Sequence, residues 1–160
     1  MLKVGDKAPS FTLESENGFV KSSDLKGKRY VLYFYPADDT PGCTKEACSF
    51  RDNLPKFTNA EVPIFGVSPQ DVNSKAKFAA KYGLNFPLLA DPDHTIAEAF
   101  GAWGEKSMYG KTHLGVLRST FVVGADGKIE HVWEKVKPED HAEEVLAYLN
   151  GQGQTRVKKQ

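Results

Sequence analysis

Hydrophobic positions along this chain recur in two rhythms. The run Tyr30-Val31-Leu32-Tyr33-Phe34-Tyr35 is unbroken and rich in β-branched and aromatic residues. Such a run predicts a strand buried on both faces, in a sheet with helices on either side. Downstream, Ala47, Phe50, Leu54 and Phe57 recur at spacings of three and four, the core-facing stripe of an amphipathic helix. Pro55 falls inside that stripe, and its missing N–H predicts a kink or an end to the helix there. The alternation then repeats. Residues 62–68 read as a strand, and residues 71–82 read as a helix closed by Gly83. Residues 87–90 form a short strand, and Asp91-Pro92-Asp93-His94-Thr95 makes a turn and cap leading into a short helix through Phe100. Residues 101–115, rich in glycine and polar groups, read as a long loop, a common place for substrate contacts. Segments 117–123 and 128–133 are strands joined through Asp126-Gly127, a hairpin signal. Residues 138–149 close the pattern as a helix with Val145, Leu146 and Leu149 inward. At the other end, two short strands flank Asn17-Gly18, and residues 22–27 form a capped turn closed by glycine.

Strands alternating with helices, then a hairpin and a last helix, predict an α/β fold built as a three-layer sandwich. No repeat and no internal boundary interrupts it. We therefore expect one domain over residues 1–150 and a flexible polar tail over 151–160.

Charge removes several functional classes. Lysine plus arginine number 21 and so do aspartate plus glutamate, a balance that points to neither nucleic acid nor an anionic membrane surface. No apolar run approaches the roughly 20 residues of a membrane-spanning helix. The start Met1-Leu2-Lys3-Val4-Gly5-Asp6 has no apolar core after its lysine, so we expect no export signal and a reducing, cytoplasmic setting. No glycine loop for phosphate and no zinc-ligand spacing occurs. The four histidines (His94, His113, His131, His141) are scattered and read as surface or turn residues rather than metal ligands. Trp103 and Trp133 read as packing residues.

What remains is two cysteines, Cys43 and Cys48. In a reducing compartment such a pair points to catalysis or redox chemistry more than to a structural bridge. Thr40 is placed to cap a helix with its hydroxyl, and Pro41 falls at the first helical position. Cys43 then sits at the third position, facing the positive end of the helix dipole and its unpaired N–H groups, which favour thiolate over thiol. Gly42 beside it allows close approach of a small substrate. A plainer alternative is a capped helix carrying a buried cysteine as a small hydrophobe. On a regular helix, residues five apart have Cα atoms ~8.6 Å apart, whereas a disulfide needs about 4.4–6.8 Å. The two thiols therefore cannot bond until the first turns unwind. A thiolate beside a hydroxyl and a cation suits attack on an O–O bond, where an arginine stabilises the departing oxygen. The resulting sulfenic acid condenses with a second thiol. Arg118 is the candidate cation. Glu46 reads as a solvated helix residue lying close enough to orient it.

These motifs resemble the peroxiredoxins, in particular the Q or bacterioferritin-comigratory-protein group. The likeness rests on Pro36-x-x-x-Thr40-x-x-Cys43, on Thr40-Pro41-Gly42-Cys43-Thr44-x-Glu46-x-Cys48, and on Gly115-x-x-Arg118-Ser119-Thr120-Phe121. The resemblance implies a thioredoxin-like sandwich with a mixed central sheet and reduction of hydrogen peroxide and organic hydroperoxides. It casts Cys43 as the peroxidatic cysteine and Cys48 as the resolving cysteine of an atypical two-cysteine enzyme. Thr40 would hold the peroxide, Arg118 would be the positive partner of both, and Pro36 would shield the pocket. It further implies thioredoxin or a similar dithiol reductant, a monomer, and no metal, haem or flavin. Two rival readings stay open. One is a thioredoxin-like disulfide oxidoreductase, against which stands the C-x₄-C spacing. The other is a non-enzymatic redox-sensing module whose helix unwinds on oxidation.

Overall fold

A computed structural model describes residues 1–151. In chain order it contains β1 (Thr12–Ser15), β2 (Gly18–Lys21), a 3₁₀ turn (Ser22–Leu25), β3 (Tyr30–Phe34), α1 (Pro41–Asn59), β4 (Ile64–Ser68), α2 (Val72–Tyr82) and β5 (Leu88–Ala90). Then follow α3 (Thr95–Phe100), β6 (Trp103–Met108), β7 (Lys111–Val116), β8 (Ser119–Val123), β9 (Ile129–Trp133) and α4 (His141–Leu149). The expected tail falls largely on residues 152–160, outside the described residues.

Seven strands form one mixed sheet in the order β2-β1-β5-β4-β3-β8-β9. Strands β3, β4 and β5 run parallel, and β8 lies antiparallel to β3. The predicted buried strand is the centre of this sheet, with every residue of β3 buried. Its alternation splits the core in two. Val31, Tyr33 and Tyr35 join Phe50, Phe57, Phe78 and Val145 under α1, α2 and α4. Leu32 and Phe34 join Phe65, Phe100 and Phe121 on the face covered by α3 and the N-terminal segment. Three layers result, the thioredoxin-like arrangement expected. Gly66, the parallel neighbour of Tyr33, is required by packing: a Cβ there would meet the Tyr33 ring at 2.8 Å.

Three expectations need correction. Helix α1 does not end at Pro55 but runs on to Asn59. Proline removes the N–H that would bond the Arg51 carbonyl, and Asn85 Nδ2 donates to that carbonyl instead at 3.4 Å. Segment 101–115 is no loop. It holds the hairpin β6–β7, with Trp103 opposite Val116 and Met108 opposite Lys111. Its tip, Tyr109-Gly110, has positive φ at both residues (54° and 78°), the backbone of a two-residue hairpin turn. His141 is the third correction, since it is fully buried rather than at the surface. Its Nε2 meets Thr120 Oγ1 at 2.7 Å and its Nδ1 meets Glu144 Oε1 at 3.0 Å. Burial pushes its pKa down, against the opposing pull of Glu144.

The tryptophans pack as expected. Trp103 stacks on His94 with ring centroids 3.8 Å apart, and Trp133 lies edge-on to His141. Among the described residues, no helix is long and apolar enough to cross a membrane, and no cluster of potential metal ligands occurs.

Candidate active site

Chain topology brings the singled-out residues to one edge of the sheet. β3 ends at Phe34, residues 35–40 turn back, and α1 starts at Pro41. This is the carboxyl edge of the parallel strands, where α/β folds place their sites. Phe34 pairs with Ser119 on β8, so the residue just before β8, Arg118, arrives at the same edge. The two motifs, 75 positions apart, thus converge on one sulfur.

At the centre is Cys43, with 1% of its surface exposed. It is the third residue of α1, and helix geometry leaves the N–H groups of Gly42 and Cys43 without intrahelical carbonyls. The Thr44 N–H makes the first helical bond, to the Thr40 carbonyl at 2.8 Å. Arg118 Nη2 donates to Cys43 Sγ at 3.2 Å, and Arg118 Nη1 donates to Glu46 Oε1 at 2.6 Å. One guanidinium therefore bridges sulfur and carboxylate, its planar fork held at both prongs. Gly42 fits beneath it, because a Cβ at that position would stand 3.3 Å from Arg118 Nη2 and 3.4 Å from Pro138 Cγ. The space that glycine provides is filled by the arginine and Pro138. Its φ is not in the left-handed region.

Thr40 occupies the N-cap position with extended backbone, but its hydroxyl caps no N–H. It donates instead to the Ala37 carbonyl at 2.9 Å. With its proton committed there, the oxygen keeps lone pairs to accept a hydrogen bond. Pro36 is half-buried, and its carbonyl accepts from Gln70 Nε2 at 3.2 Å.

Glu46 corrects the sequence reading. It is fully buried, not solvated, and its Oε2 has no hydrogen-bond partner. Burial pushes its carboxyl up to about 7, with the charge and hydrogen bond of Arg118 pulling back only part of that rise. A carboxyl raised in the folded state stabilises the fold fully below its unfolded value, near 4.5, and that contribution is lost as pH rises through about 7. Glu46→Gln should remove this dependence. The expected result is that wild type loses up to about 3 kcal/mol relative to the glutamine variant between pH 4.5 and 8. Denaturant midpoints of the two proteins across that range provide the check; parallel curves would show that Glu46 does not titrate there.

Cys48 is half-buried, and neither cysteine is in a disulfide. Both lie in the continuous helix Pro41–Asn59, which sets their Cα atoms ~8.6 Å apart and out of bonding range. The first turns of α1 are held from outside by two further contacts. Lys45 Nζ pairs with Glu139 at 3.2 Å, and the Ala142 N–H donates to Ser49 Oγ at 3.4 Å.

Comparison with known proteins matches this arrangement to one family. The pattern of the AhpC/TSA family fits residues 4–132. Peroxiredoxin Bcp of Escherichia coli K12 is 46% identical over 149 residues, which cover 92% of this chain and 96% of that one. Peroxiredoxin Bcp of Bacillus subtilis is likewise 46% identical over 149 residues, covering 92% and 95%. Among solved structures, the bacterioferritin comigratory protein of Xanthomonas campestris, studied for its alkyl peroxide reduction activity, superposes with a TM-score of 0.83. It is 42% identical, with 88% of this chain and 90% of that one covered.

Proposed function

Since the chain belongs to the AhpC/TSA family and within it to the Bcp/PrxQ group of peroxiredoxins, we propose that it reduces hydroperoxides through Cys43, resolves the product with Cys48, and is recycled by thioredoxin or a similar dithiol protein. The observation that carries this reading is the single guanidinium of Arg118 bridging Cys43 Sγ and Glu46 Oε1.

The thiolate sulfur attacks the distal oxygen of ROOH. An S–O bond forms, the O–O bond breaks, and its electron pair leaves on RO⁻, which takes a proton to become the alcohol. Cys43 is left as a sulfenic acid. Arg118 stabilises negative charge first on sulfur and then on the departing oxygen, and the positive end of the α1 dipole favours the same negative charge. The Thr40 hydroxyl, whose proton is given to Ala37, serves as acceptor for the peroxide O–H and orients the distal oxygen toward sulfur. Pro36 shields the pocket from water. Because the Xanthomonas relative reduces alkyl peroxides, organic hydroperoxides join hydrogen peroxide as substrates here.

The second step requires another shape. Unwinding the first turns of α1 breaks the Arg118 contacts to Cys43 and Glu46 and the Lys45–Glu139 pair. Cys48 then attacks the sulfenic sulfur, an S–S bond forms, and hydroxide leaves to become water. Two thiols of the reductant return both cysteines to the free state and end as the reductant's own disulfide. Closure within one chain fits a monomer.

Cys48→Ser separates the steps. This variant should consume one equivalent of peroxide at a rate within about two-fold of wild type, since Cys48 touches none of the reacting atoms. Thioredoxin-dependent turnover should vanish. Stopped-flow oxidation and a coupled thioredoxin assay read the two steps, and normal recycling of the serine variant would exclude Cys48 as the resolving thiol.

A further inference from the structure

A second polar cluster lies behind the catalytic loop, and none of its side chains reaches the sulfur. Lys75 of α2 is completely buried, and the Asp38 side chain it pairs with is 3% exposed; the two stand 3.2 Å apart. The ammonium also donates to Tyr35 Oη and to Ser68 Oγ, so all three of its protons are placed. Asp38 is equally well supplied. Its Oδ1 accepts from Tyr35 Oη at 2.5 Å, its Oδ2 accepts from Ser74 Oγ at 2.7 Å, and its backbone N–H donates to Gln70 Oε1 at 3.0 Å. Gln70 Nε2 completes the network on the Pro36 carbonyl.

A buried ion pair is a poor source of stability, because desolvation cancels most of the attraction. A fully satisfied one is a strong source of geometry. Here the geometry fixed is that of residues 36–40, the segment that delivers Thr40 and the N-terminus of α1 to the site. The next residue is tied to the same helix. Asp39, at φ 56°, accepts from Lys81 Nζ at 2.9 Å and from Tyr82 Oη at 2.7 Å. Helix α2 therefore grips the loop from behind, while the far side of Thr40 is the stretch that has to unwind.

We propose that Lys75 is a positioning residue for the peroxide step: with Asp38 it anchors loop 36–40 and sets the fixed end from which α1 unwinds. Loosening the anchor favours the unwound form over the folded one. The peroxide reaction, which needs the folded form, slows, and disulfide closure, which needs the unwound form, does not.

This rests on the peroxidase reading above, and the test separates the two. In Lys75→Met we expect the second-order rate with hydrogen peroxide to fall at least ten-fold and the rate of disulfide closure to stay equal or rise. Hydrogen exchange should quicken at amides 41–48 while the amides of β3 and β8 keep their protection. A purely structural role would raise exchange throughout the sheet. Should Lys75→Met fail to fold, Gln70→Ala, which removes the bonds to Pro36 and Asp38 and the one accepted from Ser68 Oγ but leaves the ion pair in place, should shift the same quantities in the same directions by a smaller factor. If wild type consumed no peroxide, the peroxidase reading would fall while the exchange pattern still tested the anchor. The anchor is overturned if the variant that folds keeps wild-type peroxide kinetics and wild-type exchange at 41–48, or if exchange rises equally in β3 and β8.

Discussion

Cys43→Ser should abolish hydroperoxide consumption, to the level of buffer and by a factor on the order of 10⁴ or more. Oxygen replaces sulfur at a position 1% exposed, with Arg118 still able to donate to it. Fold and pocket are therefore kept while the nucleophile is lost. A hydroxyl is not ionised at neutral pH and does not form the analogue of a sulfenic acid. The only other cysteine, Cys48, lies five residues further along α1, away from the sulfur position to which Arg118 donates, so it offers no substitute. Peroxide loss followed in a stopped-flow cell decides the matter, and retained consumption would refute the assignment of Cys43.

Arg118→Ala is expected to cost the peroxide step about 10²–10³-fold, or roughly 2.7–4 kcal/mol, the range for removing an oxyanion donor. This substitution has a second consequence that must be separated from the first. It leaves the Glu46 carboxyl fully buried with neither oxygen paired; with the arginine's pull gone, burial keeps it protonated, and an unsatisfied buried polar group destabilises by about 1–3 kcal/mol. The double variant Arg118→Ala with Glu46→Met, which makes both partners apolar, removes that penalty. If the arginine acts on the reacting atoms, the double variant recovers stability but not rate. Arg118→Lys should fall between, since a point charge on a flexible stem cannot hold sulfur and carboxylate at once as the fork does. An unchanged second-order rate in Arg118→Ala would remove the residue from the mechanism.

Much of this site is legible in the sequence because it is local. Thr40, Pro41 and Cys43 define a helix start within four residues, and the unbroken run at 30–35 marks the central strand that precedes it. Arg118 could be proposed only as a cation in a motif; its convergence on Cys43 depends on β8 pairing antiparallel with β3, a long-range register that no local pattern states. Glu46 differs from its sequence signal for a related reason. Its charge suggests solvent, and its partner in the buried site is a guanidinium that arrives from just before β8. Lys75 did leave a signal. It falls in step with Val72, Phe78 and Tyr82 on the core-facing stripe of α2, and a lysine on such a stripe calls for a buried partner.

The remaining failures have equally physical causes. Hairpin β6–β7 is largely exposed on β7, so it lacks alternating apolar positions. Its turn is Tyr109-Gly110 rather than the Asn-Gly that usually announces one. Pro55 is tolerated because Asn85 supplies the Arg51 carbonyl with a donor from outside the helix. His141 gives no local sign of burial because its partner Thr120 lies on a distant strand.

In the proposed mechanism Cys43 and Cys48 act in sequence from two shapes of one helix. Treating the reduced protein with one equivalent of peroxide, then mapping its peptides by mass spectrometry and its amide exchange over residues 41–48, tests this directly. We expect an intrachain Cys43–Cys48 disulfide together with lost protection across those amides. A Cys43–Cys48 bond with the helix amides still protected, or oxidised Cys43 beside a permanently free Cys48, would contradict the account.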